Sequence, residues 1–278
     1  MGHGFRTILA QTGVYAGVAT LLLVVVFPFY WMVTTSLKPF REISIERTLL
    51  PREPSLRNYV DLFAQTQMTQ HLFNTLWVSL AATVLSLLLA SMTAYCISRQ
   101  RSGVGEILAR LSLFAYLVPS IVLILPIYVL LQYLGLINTL SGLVLSYLSF
   151  TLPLAIWMMR IFFEAVPKTM EEAAAIDCAN RWQTFVLVIL PQVVPGLVST
   201  GVFVFILCWS EFLYPLVLIS TSELNTVTVT LDSLTGGGQN IKFGLLMAAS
   251  TVVTVPVLLM FLFMQKSIAR GFAAGGHE

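Results

Sequence analysis

Long apolar runs alternate with shorter polar segments along the chain. A segment that crosses the hydrocarbon core of a bilayer needs about 20 predominantly apolar residues, because a helix of that length satisfies its own backbone hydrogen bonds there. Six runs reach this length, so the pattern predicts six transmembrane helices. Their approximate bounds are Thr12–Ser36, Leu72–Ser98, Leu111–Leu134, Leu140–Met159, Leu197–Ile219 and Leu245–Gln265. The expected fold class is therefore all-α integral membrane, with residues 1–278 forming a single transmembrane domain.

The composition agrees with a membrane protein. Hydrophobic residues make up 57% of the chain and charged residues 10%, whereas charged residues make up about a quarter of a typical soluble domain. The formal net charge is +2 and no dense basic run occurs, so nucleic-acid binding is not expected. The cysteines and histidines are widely separated, and their spacing predicts neither a metal site nor a disulfide framework. They are Cys96, Cys178, Cys208, His3, His71 and His277.

The distribution of Lys and Arg predicts the orientation of the chain in the membrane. An even number of spans places both termini on one side. If that side is the cytoplasm, nine basic residues are cytoplasmic and six are outside, which is the direction of bias that membrane proteins show. We therefore expect both termini in the cytoplasm, together with a polar segment at residues 164–191.

Two longer loops are expected outside. The first, residues 38–71, contains three prolines and mixed polarity, which predict an irregular extracytoplasmic excursion that ends in a short helix near Asn58–Phe63. The other, residues 221–243, contains three consecutive glycines from Gly236 and is expected to be a flexible surface loop. A phosphate-binding loop is not predicted there, because no Lys-Ser/Thr pair follows the glycines.

The polar segment 164–191 separates two apolar runs. Thr169 and Glu172 have the spacing of a capping box, in which the Thr caps the first helical turn and the Glu reaches back to it. The run Ala173–Ala175 favours helix and adds little bulk. We therefore predict a short, thin helix whose acidic residues pair with arginines of another protein, followed by a second helix from about Arg181. A loop that merely links two spans would show the same local features.

The spacing within this segment resembles a known signature. Glu172-Ala-Ala, then Asp177 and Ala179, and later Val188-x-Leu190-Pro191, resemble the EAA motif of ABC import permeases, and in particular the carbohydrate-uptake subfamily that includes the maltose permease. The flanking pieces that share the resemblance are Asn74-Thr-Leu-Trp-Val-Ser79, Leu134-Gly-Leu-Ile-Asn-Thr139, Leu152-Pro153, Trp209-Ser-Glu-Phe212 and Pro215-Leu216. The resemblance covers about residues 70–270, the core permease region.

The resemblance implies a type I importer permease fold and a subunit that is not an enzyme. In that family the permease pairs with a second, homologous permease and with two ATPase subunits, which bind the ATP and Mg²⁺, and an external solute-binding protein delivers the substrate. This chain would hold no cofactor itself. It would lie in the cytoplasmic (inner) membrane of a bacterium or archaeon and help to import a sugar, of which a disaccharide or oligosaccharide is the first expectation.

By the same resemblance, the helix at about Lys168–Ala179 is the coupling helix, which an ATPase subunit moves when it binds ATP. Glu172 would form the salt bridge, Ala173 and Ala174 would allow close approach, and Asp177 would be a second polar anchor. The complete set implied for coupling is Glu171, Glu172, Ala173, Ala174, Asp177, Cys178, Ala179, Leu190 and Pro191. The chain has Cys178 where the family usually has glycine, and Ser210 where it usually has asparagine. Cys178 indicates either a turn that is not left-handed or a tolerated strain.

The substrate path is less clearly marked. Glu211 is the charged residue inside the fifth predicted span, and a carboxylate there should face a cavity, a neighbouring helix or the outer surface. Trp209 and Tyr214 could stack on sugar rings or belong to an interfacial aromatic belt. The remaining candidates for the path are Asn138, Gln132 and Trp157.

Two other functions fit parts of the sequence. A secondary transporter would need charged residues or histidines within the spans, and it would show internal repeats; only Glu211 meets the first condition. A membrane scaffold that recruits a cytoplasmic enzyme through residues 164–191 would explain the polar segment, but not the pattern spread along the spans.

Overall fold

The computed structural model describes residues 2–43, 48–99, 103–236 and 242–275, and the regular elements in these ranges are all helices. Within these ranges, thirteen α-helices follow one another. They are α1 (Gly2–Ser36), α2 (Arg57–Gln65), α3 (Met68–Arg99), α4 (Gly103–Leu117), α5 (Ser120–Tyr133), α6 (Leu140–Glu164), α7 (Thr169–Ile176), α8 (Arg181–Gln183), α9 (Leu190–Gln192), α10 (Val194–Trp209), α11 (Leu213–Leu218), α12 (Val227–Thr235) and α13 (Phe243–Gly275). A π-helical stretch, Thr184–Ile189, joins α8 to α9.

The helices that could span a membrane agree with the predicted number. Within the described residues, four single helices are long and apolar enough: Gly13–Ser36, Met68–Arg99, Leu140–Glu164 and Phe243–Leu262. Two bent pairs, α4 with α5 and Arg181–Gln192 with α10, bring the total to six if each pair forms one span. The prediction of an all-α membrane protein is therefore confirmed, and the six predicted spans agree with the count in which each bent pair forms one span.

The third predicted span is not one continuous helix. The run Leu111–Leu134 is divided between α4 and α5, which meet at an angle of 98°. Pro119 lies at the break with an extended ψ of 132° and precedes the first residue of α5. Because proline lacks an N–H group and disfavours helix in the residue before it, a break at this position is expected. Pro126 lies inside α5 without ending it.

The fifth predicted span also differs. Within Leu197–Ile219, α10 ends at Trp209 and α11 begins only at Leu213. Glu211 therefore lies in the connection between two helices, rather than inside one continuous helix. Its carboxylate Oε1 accepts hydrogen bonds from the backbone N–H groups of Leu213 (2.8 Å) and Tyr214 (3.2 Å). These are first-turn donors of α11 that have no partner within that helix, so Glu211 caps α11.

The outer loop predictions had different outcomes. The short helix expected near Asn58–Phe63 is confirmed by α2. The expectation of a flexible loop at residues 221–243 is wrong for its middle part, because α12 occupies Val227–Thr235. The Thr75 hydroxyl accepts a hydrogen bond from the N–H of Val227 at 2.9 Å, and both Val227 and Thr230 are buried. Gly237 and Gly238 lie outside the described residues.

The chain divides into two compact units. One comprises residues 1–68 and 231–254. In it, the Asn58 side-chain amide donates to the carbonyls of Ser36 (2.8 Å) and Lys38 (2.9 Å), and Glu42 accepts from the N–H of Arg52 at 2.9 Å. Lys38 also lies over the ring of Trp31. These bonds hold the described part of the first loop against the end of α1.

The other unit comprises residues 69–230 and 255–278. Helix α6 contacts α4, α5, α10 and α11, and its buried residues contribute much of the core. The contact with α10 is close at Gly196, where a Cβ atom would lie 2.3 Å from Cγ of Phe162. This packing places the end of α6, and the polar segment that follows it, beside the end of α3.

Candidate functional site

The polar segment 164–191 contains two helices, as predicted, but the first begins differently. Lys168, not Thr169, is the N-cap residue of α7, and no side chain caps the helix. Lys168 already has helical backbone angles, and its carbonyl accepts from the N–H groups of Glu171 and Glu172. Thr169 is thus inside the first turn, where its hydroxyl cannot act as a cap. The predicted capping box at Thr169–Glu172 is therefore wrong.

A capping box does occur at the second helix. The Asn180 side-chain oxygen accepts from the N–H of Gln183, and the Gln183 side-chain oxygen accepts from the N–H of Asn180, both at 2.9 Å. The helix begins at Arg181, which confirms the predicted start. The Asn-x-x-Gln spacing was visible in the sequence and is a recognised start signal.

The turn that ends α7 is left-handed. Cys178 has a φ of 59°. The N–H of Ala179 donates to the carbonyl of Ala174 at 3.0 Å, and that of Cys178 donates to the carbonyl of Ala175 at 3.1 Å. This pair of bonds defines a Schellman motif, in which glycine is the preferred residue at the position of Cys178. The sequence left open whether this turn is not left-handed or whether Cys178 tolerates strain, and the structure shows that Cys178 tolerates strain.

We therefore expect Cys178→Gly to stabilise the protein. A left-handed conformation costs an L-residue about 1–2 kcal/mol, and glycine gives back about 0.5–1 kcal/mol through the unfolded state, which leaves a net gain of about 0.5–1 kcal/mol. Thermal unfolding of the purified chain in detergent should show the midpoint rise. Cys178→Ala is the control, since it removes the thiol and keeps the Cβ atom; an equal rise in that variant would contradict the explanation.

Helix α7 has an outer face that makes no ion pair within the described chain. Glu172, Ala173 and Asp177 are exposed, and Ile176 is 83% exposed. Neither Glu172 nor Asp177 forms a salt bridge with any other residue that the structure describes. Two free carboxylates, a small residue and an exposed apolar side chain therefore lie together on one short helix.

The inner face of α7 is held by the rest of the unit. Ala174 is buried, and α7 contacts the π-helical stretch Thr184–Ile189. Glu171 forms a salt bridge with Arg99, the last residue of α3. The two neighbouring acids, which the sequence could not distinguish, thus have different environments: Glu171 faces the chain and Glu172 faces away. Arg99 was missed at the sequence level, where the only signal was a basic residue at the end of a predicted span.

The last two predicted coupling residues lie apart from this outer face. Leu190 and Pro191 belong to α9, beyond the π-helical stretch. Leu190 packs against the core, while Pro191 is exposed. They are thus separated from α7 by the π-helical stretch, which contacts both α7 and α9.

A cavity of about 770 Å³ lies between the end of α3 and the polar segment. On the α3 side it is lined by Met92, Tyr95, Cys96 and Arg99. On the other side it is lined by Glu171, Ala175, Ala179, Arg181, Trp182, Thr184 and Phe185. Helices α3 and α7 are therefore separated by open volume and joined at Arg99 and Glu171. None of the predicted path residues lines this cavity.

Most residues predicted for the substrate path have structural roles. Trp209 is buried and stacks on Phe205, with ring centroids 5.6 Å apart. Tyr214 is fully buried, and its hydroxyl lies 3.1 Å from that of Ser149. Glu211 caps α11, as described above. Trp157 is 41% exposed and Gln132 is exposed.

Asn138 joins two connections within the same unit. It has a φ of 59°, and its N–H donates to the carbonyl of Leu218 at 2.9 Å. Its side-chain oxygen accepts from the N–H groups of Ser220 and Thr221, both at 3.0 Å, and its amide nitrogen donates to the Thr221 hydroxyl at 2.6 Å. Asn138 therefore fixes the chain between α5 and α6 against the chain that follows α11.

Comparison with known proteins decides the family. Residues 82–273, which include the entire polar segment, match the family described as binding-protein-dependent transport system inner membrane component. The chain belongs to this family. As one of its members, it is the non-catalytic membrane permease of an ABC importer, and it crosses the membrane several times. The assignment decides against the secondary transporter and the recruiting scaffold.

Individual relatives of this permease cover nearly the whole chain. It is 33% identical over 272 residues to the inner membrane ABC transporter permease protein YcjP of Escherichia coli, which covers 96% of both chains. It is 32% identical to the trehalose transport system permease protein SugB of Mycobacterium tuberculosis, covering 96% of this chain and 98% of that one. It is 31% identical to the trehalose/maltose transport system permease protein MalG of Thermococcus litoralis, covering 93% and 94%.

Solved structures confirm the predicted permease fold. The permease resembles a chain of a bacterial ABC transporter involved in the import of the acidic polysaccharide alginate, with a TM-score of 0.82, 20% identity and coverage of 96% of this chain and 99% of that one. It also resembles a chain of a bacterial alginate ABC transporter in complex with an alginate pentasaccharide-bound periplasmic protein, with a TM-score of 0.70, 16% identity and 93% coverage of each. At these identities the likeness concerns the fold alone.

Proposed function

We propose that this permease imports a small glycoside, and that α7 is the helix through which a cytoplasmic ATPase subunit drives it. In the assembled importer it pairs with a second permease and with two ATPase subunits, which hold the ATP and Mg²⁺, and a solute-binding protein delivers the substrate from outside. The observation that carries the proposal is the outer face of α7, where Glu172 and Asp177 have no ion-pair partner among the described residues.

The shape and charge of α7 suit a docking segment. Charge-assisted hydrogen bonds from arginines of a partner would satisfy the two free carboxylates. Ala173 beside Glu172 adds almost no bulk, so the backbone of α7 can come close to the partner. Ile176, which is 83% exposed, would bury its side chain in the contact. A docking helix must also be firmly held in its own subunit, and the left-handed turn at Cys178 and the buried Ala174 meet that need.

The orientation of the permease in the membrane follows from the Arg and Lys residues at the α7 end of the unit. The Arg99–Glu171 salt bridge places the end of α3 there, and α4 is joined to α6 through Arg160 and Glu106 at 2.8 Å. Arg110 lies in α4, Lys168 is the N-cap residue of α7, and Arg181 begins α8. Because short segments rich in Lys and Arg remain in the cytoplasm, this end is the cytoplasmic one. Both termini then lie in the cytoplasm, and α11 and α12 lie towards the outside.

The substrate class rests on the relatives. Permeases named for trehalose, for trehalose and maltose, for sulfoquinovosyl glycerol and for diacetylchitobiose are 30–33% identical to this chain over more than 90% of its length. All four names denote small glycosides. Of the six residues predicted for the path, Trp157 and Gln132 retain exposed side chains and are the candidates for direct contact with substrate.

The proposal is tested by ATP hydrolysis of the assembled importer. The permease would be purified with its cognate permease and ATPase subunits, placed in nanodiscs, and assayed with the cognate binding protein and a panel of trehalose, maltose and diacetylchitobiose. We expect hydrolysis to rise severalfold with at least one of these. Stimulation by an amino acid or peptide mixture instead would refute the substrate class, and the absence of any co-purifying ATPase would refute the assigned role.

A further inference from the structure

Arg99 joins the end of α3 to the end of α6 and the start of α7, which follow it by 64 residues or more along the chain. From the end of α3, its guanidinium donates to the Glu171 carboxylate of α7. It also donates to the backbone carbonyls of Phe163, at 3.0 Å, and Val166, at 3.2 Å. The Arg99 side chain is only 14% exposed and lies over the ring of Tyr95. Each contact uses a different nitrogen of the planar fork, which a lysine could not reproduce.

The partners of Arg99 lie where the chain passes from α6 into α7. Phe163 is in the last turn of α6, and Val166 lies in the connection between α6 and α7. Carbonyls at the end of a helix have no partner within it, so a buried guanidinium stabilises them. Glu171 lies in the first turn of α7. One side chain of α3 therefore fixes the end of α6, the connection and the start of α7.

Within the described residues, no other salt bridge joins α7 to another element. The cavity of about 770 Å³ lies beside this pair, with Cys96 on its α3 wall and Ala175 on its α7 wall. Without the Arg99–Glu171 pair, α7 would remain attached to α6 by the chain and to the π-helical stretch by packing, but it would lose its link to α3.

We propose that Arg99 is a positioning residue for transport, which transmits the movement of α7 to α3 through the Arg99–Glu171 pair. The inference rests on the proposed role of α7 as the ATPase-docking helix. It assigns Glu171 and Glu172 different functions: Glu172 binds the partner, whereas Glu171 connects the docked helix to the first span of its own unit. Loss of the pair should leave an importer that keeps its ATPase subunits and no longer responds to them.

The test uses Cys96 as a reporter of the cavity. In the assembled importer with Cys178→Gly and Cys208→Ala, a water-soluble maleimide would label Cys96, and its rate would be measured on this chain with and without ATP and vanadate. We expect ATP and vanadate to change the rate severalfold when Arg99 is intact. In Arg99→Gln and in Glu171→Gln the ATPase subunits should still co-purify, while the labelling rate becomes insensitive to ATP. Arg99→Lys should recover part of the response.

Arg160→Gln is the matched control. Arg160 lies near the same end of α6 and forms salt bridges with Glu164 and Glu106, but it does not contact α7. Its variant should respond to ATP as the unsubstituted protein does. Glu171→Gln leaves the two carbonyl bonds of Arg99 in place, so it decides the question if Arg99→Gln does not fold.

Each outcome has a distinct meaning. A normal ATP response in Glu171→Gln with the ATPase bound would overturn the role of the pair and leave the proposed function intact. The lack of any ATP response at Cys96 in the unsubstituted importer would also overturn it, because α3 would then not follow α7. If no ATPase subunit co-purified with the unsubstituted permease, the proposed function itself would fail.

Discussion

Charge reversal in Glu172→Arg is expected to abolish transport and the co-purification of the ATPase subunits. Glu172 is exposed and has no ion-pair partner within the described chain. In the proposed complex, it meets arginines of the partner, and juxtaposed like charges cost several kcal/mol. A loss of about 3 kcal/mol corresponds to roughly a 100-fold weaker complex. Affinity of the purified permease pair for the ATPase subunits, measured at fixed salt, checks the prediction.

The stability of the variant separates docking from folding. A surface substitution that breaks no internal contact usually changes stability by less than about 0.5 kcal/mol, so the thermal midpoint of Glu172→Arg should match that of the unsubstituted chain. Glu223→Arg is the control, because Glu223 is an exposed acid of the same unit that follows α11, at the opposite end in the proposed orientation. If Glu223→Arg weakened ATPase binding as much as Glu172→Arg, docking at α7 would not explain the result.

Among Gly→Ala substitutions at helical glycines in the unit of residues 69–230 and 255–278, Gly142→Ala is expected to cause the largest loss of stability. A Cβ atom at Gly142 would lie 2.2 Å from the carbonyl oxygen of Leu136 and 3.1 Å from the hydroxyl oxygen of Thr139. The Leu136 carbonyl is fixed, since the Thr139 hydroxyl donates to it at 2.7 Å. Overpacking against fixed atoms costs about 1–3 kcal/mol, and the lost Thr139 bonds add about 1 kcal/mol.

Thermal unfolding in detergent checks this prediction. A loss of about 3 kcal/mol should lower the midpoint by about 6–12 °C in a chain of this size. Gly201→Ala is the matched control in α10, because its Cβ atom would approach only flexible side-chain atoms, at 3.1 Å from Leu87 and 3.9 Å from Thr83. Its midpoint should change little. Equal destabilisation by the two substitutions would show that loss of glycine, rather than the Leu136 contact, is responsible.

The sequence predicts the membrane spans well because their signal is local. Each apolar run is long enough to be recognised on its own, and α1, α3, α6 and α13 coincide with predicted spans. The bends are less predictable, because hydropathy is the same on both sides of a break. Pro119 ends a helix whereas Pro126 does not, and the residues alone do not distinguish them. A second break, after Trp209, separates α10 from α11. Because Glu211 caps α11 at this break, its role could not be inferred from a span that was predicted to be unbroken.

The sequence predicts where the candidate site lies, but only some of the contacts that its residues make. The presence of the two helices, the start of the second at Arg181, the acidic residues and the unusual Cys178 were visible in the sequence. Which acid faces inward was not, because it depends on Arg99, which lies 72 residues from Glu171 along the chain. Contacts of this kind arise from the packing of α3 against the end of α6. For the same reason, the contacts that Trp209, Tyr214 and Asn138 make within the chain could not be predicted from the sequence.

The most direct test of the account is photo-crosslinking from the outer face of α7 in native membranes. A photoreactive amino acid at position 173, where Ala173 is exposed beside Glu172, would be activated in the intact importer, with position 223, an exposed residue of the same unit after α11, as the control. We expect a crosslink to the ATPase subunit from position 173 and none from position 223. A crosslink from position 173 to the external binding protein, or the absence of any crosslink to the ATPase, would contradict both the docking role of α7 and its cytoplasmic location.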